Sequence, residues 1–226
     1  SLGEVGGQLD HNASLSNSMA LRVNAMVEQL DNHRDFYDGE RRGFNPTLHI
    51  DMGESQLVLS YELVDHQRFI DRGIPTGADG RPVEALENVV FGDPAVNTTE
   101  LDAHLWRAAL QHNFSETLKL NVSAFYGDYD KLYQNFYASG YEEENTPDEV
   151  TLDGYVDTTE RQNTIFTANI VKEGMLGGIG HTLLAGVESI STSSDQDRYN
   201  TFWDTTQDDK ETFSVSRNLG IRGGVG

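Results

Sequence analysis

Along much of the chain, apolar residues recur at every second position. Leu21, Val23, Ala25 and Val27 share one face, with Arg22, Asn24, Met26 and Glu28 on the other. Leu48, Ile50 and Met52 alternate with Thr47, His49 and Asp51, and Leu57, Leu59, Tyr61 and Leu63 oppose Gln56, Ser60 and Glu62. The same spacing returns at Trp106, Ala108, Leu110 and Phe114, at Leu118, Leu120, Val122 and Ala124, at Phe166, Ala168 and Ile170, and at Leu183, Ala185 and Val187. A period of two places successive side chains on opposite faces of a strand. The pattern therefore predicts an all-β protein of about eight strands.

The connections carry a second pattern. Tight turns are expected at Gly53-Glu54-Ser55, at Ser115-Glu116-Thr117 and in the Gly-rich stretch 174–180. Longer polar segments are expected at 31–43, at about 65–97, at about 127–159 and after Ser189. Short and long connections thus alternate, as they do in an outer-membrane β-barrel, whose periplasmic turns are short and whose outer loops are long. Barrel strands also alternate apolar-out and polar-in between two aromatic girdles. In the stretch LKLNVSAFYGDYDKLYQNFY, Leu118 to Ala124 would cross the lipid, and Phe125, Tyr126 and Tyr129 would mark the outer interface. Tyr61 and Trp106 are girdle candidates on neighbouring strands. A soluble β-sandwich with one wet face shares the period-two spacing. Two structureless excursions of that length are uncommon in a compact soluble domain, and they favour the barrel.

Composition narrows the function classes. The chain has 226 residues, 37% of them hydrophobic, and carries 37 acidic against 16 basic residues, a net charge of -21. That balance argues against a nucleic-acid partner, since contact with phosphates needs a basic surface. There is no cysteine, which removes disulfides, thiolate metal sites and cysteine nucleophiles. No G-x-S-x-G elbow and no HExxH pair occurs, and the seven histidines are scattered. The run Gly177 to Gly180 lacks the lysine and the strand-to-helix setting of a phosphate loop and reads as a turn. Acidic clusters at Glu142-Glu143-Glu144 and Asp208-Asp209 lack the ordered spacing of a calcium loop and read as hydrated loop charge. No catalytic frame is visible, so an enzyme is not expected.

Several stretches, taken in order, resemble the TonB-dependent outer-membrane receptors of the ferric-siderophore branch. They are LRVNAMVEQLDNHRDFYDGERRGFNPTLHI, LVLSYELVDHQRFIDRGIPTGADGRPVE, FGDP at Phe91 to Pro94, YGDYDKLYQNFY, TTERQNTIFTANIV and GGIGHTLLAGVE. Together they span about residues 20–190. DRGIP followed by FGDP and then GDYDK is the most specific part of the set.

The resemblance implies an antiparallel transmembrane β-barrel segment, about eight strands of a larger barrel of about 22. It implies residues 1–226 as a partial barrel domain, the first third or so, with the plug and the TonB-contacting box outside it. The terminal stretch IRGGVG is not expected to be the closing strand. The implied activity is uptake of a ferric siderophore across the outer membrane of a Gram-negative bacterium, energised by the TonB complex through the plug region. No intrinsic cofactor or protein-bound metal is implied, because the iron arrives inside its chelator. Outer-membrane lipid would be the lateral partner.

Under that resemblance Tyr129, Tyr133 and Tyr137 are candidate ligand contacts, and Arg41 and Arg42 are candidate cations for an anionic ligand. Each has a plainer reading. The tyrosines, with Phe125 and Tyr126, would serve as girdle or packing, and Arg34 to Gly43 would be a solvated loop of weak surface pairs. A small autonomous outer-membrane barrel with a structural or adhesive role is the alternative for the whole chain.

Overall fold

The structure is a computed structural model that describes residues 4–215. Its strands are β1 (Val5–Ser16), β2 (Met19–Asp31), β3 (Asp38–Asp51), β4 (Ser55–Phe69), β5 (Thr98–Ser115), β6 (Leu118–Tyr141), β7 (Glu149–Leu176), β8 (Ile179–Asn200) and β9 (Glu211–Ser214). β1 to β8 pair in sequence order, each antiparallel to the next, and β9 pairs with β7. The terminal IRGGVG lies outside the described residues.

Every tight connection falls at one end of this meander and every longer one at the other. Residues 17–18, 52–54, 116–117 and 177–178 turn the chain at the first end. The last of these uses Gly177 and Gly178 at φ of 60° and 80°, a left-handed conformation in which glycine alone carries no side-chain penalty. Segments 32–37, 70–97, 142–148 and 201–210 connect strands at the other end. The predicted alternation of turn lengths is present.

The register runs straight across the sheet, so residue rows can be followed from strand to strand. One row is Pro46, Ser60's neighbour Tyr61, Trp106, Tyr126 and Thr164, with Tyr61 opposite Trp106, Trp106 opposite Tyr126 and Tyr126 opposite Thr164. On the same face, towards the tight turns, lie Leu59, Ala108, Ala124 and Phe166, then Leu57, Leu110, Val122, Ala168 and Val187. Much of this face is open to the surroundings: Leu59, Trp106, Phe166, Ile170 and Val187 are all exposed. A contiguous apolar face of this kind marks a surface that meets lipid or protein. From Leu118 to Tyr126 it has the length of one tilted membrane-spanning strand, about 9–11 residues. The opposite face is polar and internally bonded, as in Asn121 to Asn169 at 2.9 Å and Ser123 with Thr167 at 2.5 Å.

Five strands differ from the sequence expectation. The segment 127–159 is not a loop: β6 and β7 continue through it for 24 and 28 residues, leaving only 142–148 as a connection. Likewise β3 begins at Asp38 and β8 runs on to Asn200. Above the apolar belt both strand faces are polar enough that the alternation disappears, although the ladder of backbone bonds continues. β1 has few apolar residues on either face (VGGQLDHNASLS), so hydrophobic spacing does not reveal it.

The long connection 70–97 is a true loop, and it packs. Val83, Leu86 and Phe91 join Phe136, Val150, Leu152 and Trp203 in one buried cluster. Trp203 comes from the segment after β8, which folds back so that β9 extends the edge of β7 at Glu149 to Leu152. Its ring meets Phe136 at 5.5 Å and Phe213 at 5.2 Å between centroids. Full burial of each such aromatic contributes on the order of 1.5–3 kcal/mol. This cluster supplies most of the fully buried apolar side chains among the described residues. Gly154 is required beneath it, because a Cβ there would lie 2.6 Å from the Phe136 ring and 2.7 Å from the Asn135 carbonyl oxygen.

Candidate functional site

The extended β6–β7 hairpin has two faces with different neighbours. Phe136, Val150 and Leu152 point into the buried cluster. Tyr133, Asn135 and Tyr137 alternate with Phe136 and so stand on the other face, which continues the polar face of the sheet. Across the ladder they face Asp157, Tyr155 and Asp153. Tyr133 stacks on Tyr155 at 5.9 Å, and Tyr137 meets Tyr155 edge-on at 6.1 Å. Such offset and edge-on arrangements suit the quadrupoles of the rings. The result is a three-tyrosine wall that begins roughly 23 Å and ends roughly 36 Å along the strand from Tyr126.

Two guanidinium groups are seated on this wall. Arg72, from the loop 70–97, lies 4.6 Å from the Tyr137 ring centroid. Its Nη1 donates to the Asn135 side-chain oxygen at 3.2 Å and to the Tyr155 hydroxyl at 3.0 Å. No carboxylate lies within ion-pair distance of Arg72 among the described residues. Arg198, on β8, lies 4.5 Å from the Tyr155 centroid and makes a two-bond contact with Asp157 at 2.6 and 2.5 Å. Those hydrogen bonds hold the Asp157 carboxyl below the ordinary carboxylate range, more than offsetting its slight desolvation. Tyr137 is pushed the other way: burial first, then the Asp153 charge, raise its phenol, which stays protonated and donates to Asp153 at 3.2 Å. Arg198 is thus neutralised locally and Arg72 is not.

The sequence candidates divide accordingly. Tyr133 and Tyr137 lie on the wall. Tyr129 shares their face further down, folding with Phe125 over Gly127, whose hypothetical Cβ would sit 2.8 Å from the Tyr129 ring and 3.0 Å from Phe125. Phe125 and Tyr129 therefore leave the girdle assignment. Phe125 is directly opposite Arg107, whose guanidinium lies 5.2 Å from its ring and pairs with Glu62 at 2.9 Å. Residue parity decides this: Tyr126 faces the apolar side, so its neighbour Phe125 cannot. Tyr61, Trp106 and Tyr126 do form one aromatic stripe, with centroids 5.4 and 5.5 Å apart. The Tyr61 hydroxyl reaches His104 Nδ1 at 2.6 Å, away from the apolar belt.

Arg41 and Arg42 are not brought to the tyrosines. They sit three strands away on β3, point to opposite faces and are each already paired, Arg41 with Glu28 and Arg42 with Glu40 at 2.8 Å. Two cations that the sequence did not single out reach the wall instead: Arg198 on β8, and Arg72, for which the DRGIP stretch was the available signal. Tyr155 was missed because its segment reads as loop. Among the described residues no group of three or more His, Asp or Glu side chains is placed to hold a metal ion.

One further row bears on orientation. Four residues beyond the aromatic stripe on the same face, past the row Leu63, His104, Asp128, Gln162 and Ser193, the residues Asp65, Asp102, Asp130, Glu160 and Asp195 stand opposite one another across β4 to β8. Beyond the stripe the same face turns from apolar, through this mixed row, to carboxylates.

An uninterrupted antiparallel meander with an apolar belt, an aromatic stripe and long connections at one end defines a stretch of an outer-membrane type β-barrel, here as an open sheet. Solved structures share this fold. The chain superimposes on the siderophore receptor PiuA from Acinetobacter baumannii with a TM-score of 0.76 and 17% identity, over 93% of this chain and 32% of that one. The pyoverdine outer membrane receptor FpvA from Pseudomonas aeruginosa, bound to pyoverdine, gives 0.79 and 14% over 93% and 31%. The ferric-catecholate import receptor Fiu from E. coli gives 0.68 and 20% over 88% and 34%. The chain spans about a third of the length of each of these structures. No protein-family model matches it, and no curated protein matches it in sequence.

Proposed function

We propose that residues 1–226 are a partial barrel domain of a Gram-negative outer-membrane receptor that imports a ferric siderophore, energised by the TonB complex through a plug region. The observation that carries this reading is the pairing of that receptor fold with a tyrosine–arginine wall on the polar face, well beyond the aromatic stripe. In the closed barrel the polar face would line the lumen, the apolar belt would meet outer-membrane lipid, and the wall would stand in the extracellular vestibule. Aromatic faces with polar tips give rigid contact area to a large chelate, and an arginine without a carboxylate partner accepts its negative groups. The transported ferric siderophore is the only cofactor-like group the reading needs. The solved structures of this fold are receptors rather than enzymes by their descriptions, in keeping with a binding role for the wall.

The test is uptake of radiolabelled iron, presented as a ferric tris-catecholate and as a ferric tris-hydroxamate, by cells whose only siderophore receptor is the full-length protein carrying this chain. Uptake of one chelate that disappears when TonB is deleted supports the proposal. Binding should weaken about tenfold in Tyr133→Ala and Tyr137→Ala. Failure of both chelates to enter, with normal assembly in the outer membrane, would leave the autonomous barrel with a structural or adhesive role.

A further inference from the structure

Arg72 is held in place from a distance. The residue before it, Asp71, is nearly buried and uses both carboxylate oxygens. Oδ1 accepts from the Gly73 amide at 2.8 Å, and Oδ2 accepts from Arg34 Nε at 2.6 Å. Gly73 has φ of 81°, so the backbone reverses sharply just past Arg72. Arg34 belongs to a different connection, between β2 and β3. Its Nη2 donates to the Val89 carbonyl at 2.9 Å and its Nη1 to the Glu87 carbonyl. The side chains of the pair keep only 16% and 10% of their exposure, so the pair is shielded from the screening that weakens surface ion pairs. Arg34 thus fastens the start of the 70–97 loop, at Asp71, and its later part, at 87–89, to its own connection. The turn so fastened carries Arg72.

We propose that Arg34 is a positioning residue: through Asp71 it sets the pose in which Arg72 meets Tyr137, Tyr155 and Asn135 and offers its remaining donors to an anionic group of the ligand. This rests on the receptor reading for the ligand, but not for the latch itself. Guanidinium donors are useful only in a fixed fork geometry. A loop tethered at one place only would let Arg72 swing out into solvent. The latch also makes ligand recognition depend on a connection that itself offers the wall no side chain.

Two measurements on the full-length protein test this. The first needs no ligand: trypsin cleavage after Arg72, compared with cleavage at Glu84 in the same loop by a glutamate-specific protease. Arg34→Met should accelerate cleavage after Arg72 about tenfold, and Asp71→Asn, which leaves the contacts of Arg34 with 87–89 in place, should do the same while cleavage at Glu84 changes little. Equal acceleration at both places would mean general loop unfolding, and no change at either would mean that the pair positions nothing. Both results overturn the proposal. The second measures affinity for an anionic ferric tris-catecholate and a neutral ferric tris-hydroxamate. Arg72→Gln should lose about tenfold for the anionic chelate alone. Arg34→Met should show the same selective loss, and the double variant Arg34→Met/Arg72→Gln should lose no more than Arg72→Gln. Additive losses would show that the two residues act separately, and the latch fails. If the wild-type protein binds neither chelate while the trypsin result stands, the receptor reading fails and the latch survives.

Discussion

Asn97 stands in for a missing strand partner. β5 begins at Thr98, so β6 beyond Gln134 has no neighbour on that edge. The Asn97 side chain takes over: its amide nitrogen donates to the Phe136 and Ile70 carbonyls at 2.9 and 3.0 Å, and its oxygen accepts from the Phe136 amide at 2.8 Å. Asn97 is 1% exposed. Asn97→Ala should therefore leave three buried backbone groups unpaired, at a cost of about 1–3 kcal/mol for each. The expected outcome is release of the 70–97 loop, read as rapid proteolysis within it while the strands stay protected. A second residue-scale expectation concerns acid. The Asp157 carboxyl is depressed in the folded state by the Arg198 hydrogen bonds. Its stabilising contribution is therefore complete above the unfolded value of about 3.9 and is lost as pH falls through the lower folded value. Between about pH 7 and pH 5 a carbon NMR titration of the Asp157 carboxyl should be flat, and an inflection in that window would contradict the pairing.

Among the elements, the β6–β7 hairpin is the one that serves two purposes at once. Its lower half carries the apolar belt, and its upper half separates a packed cluster on one face from the tyrosine wall on the other. Trp203→Ala removes the ring that bridges Phe136 and Phe213, and should cost about 3–5 kcal/mol locally. The expected sign is proteolytic nicking at 201–215 and in 70–97 together, and nicking in only one of them would show that the cluster is not a unit. The lower half of the hairpin was legible from sequence, because Leu118, Leu120, Val122 and Ala124 alternate with polar residues. The upper half was not. Its apolar face is covered by loops, so Leu132, Phe136, Val150 and Leu152 occur without a regular apolar period. The same cause hid part of the site. Tyr133 and Tyr137 stood out by composition, whereas Tyr155 and Arg72 meet them only through pairing between distant segments. Arg41 and Arg42 attracted attention as adjacent cations, but neighbours on a strand point to opposite faces.

For the molecule as a whole, β8 is exposed along its entire length and β1 along nearly all of it. Each pairs on one side only among the described residues. Unpaired edges of that length invite association with other strands. Expressed alone, the 226-residue chain should refold poorly in detergent and form sedimenting aggregates. Expressed together with the rest of a barrel, the same strands should give a heat-modifiable band on gels. A monomeric, heat-modifiable chain produced alone would instead favour closure of β1 on β8.

The carboxylate row that runs from Asp65 to Asp195 has a consequence for how such a barrel would ride in its membrane. It acts like the load line on a hull. Sinking by four residues would bring five negative charges to the level now held by the aromatic stripe. Each carboxylate costs less than about 1 kcal/mol near the interface and more towards the midplane, so the penalties accumulate across strands that cannot move separately. Rising by four residues is opposed from the other side, because the stripe and the apolar row beneath it would enter water together. The sheet is thereby ballasted at one draught. The height of the tyrosine wall above the bilayer would follow from two rows of side chains four residues apart, with no contribution from the loops that decorate it.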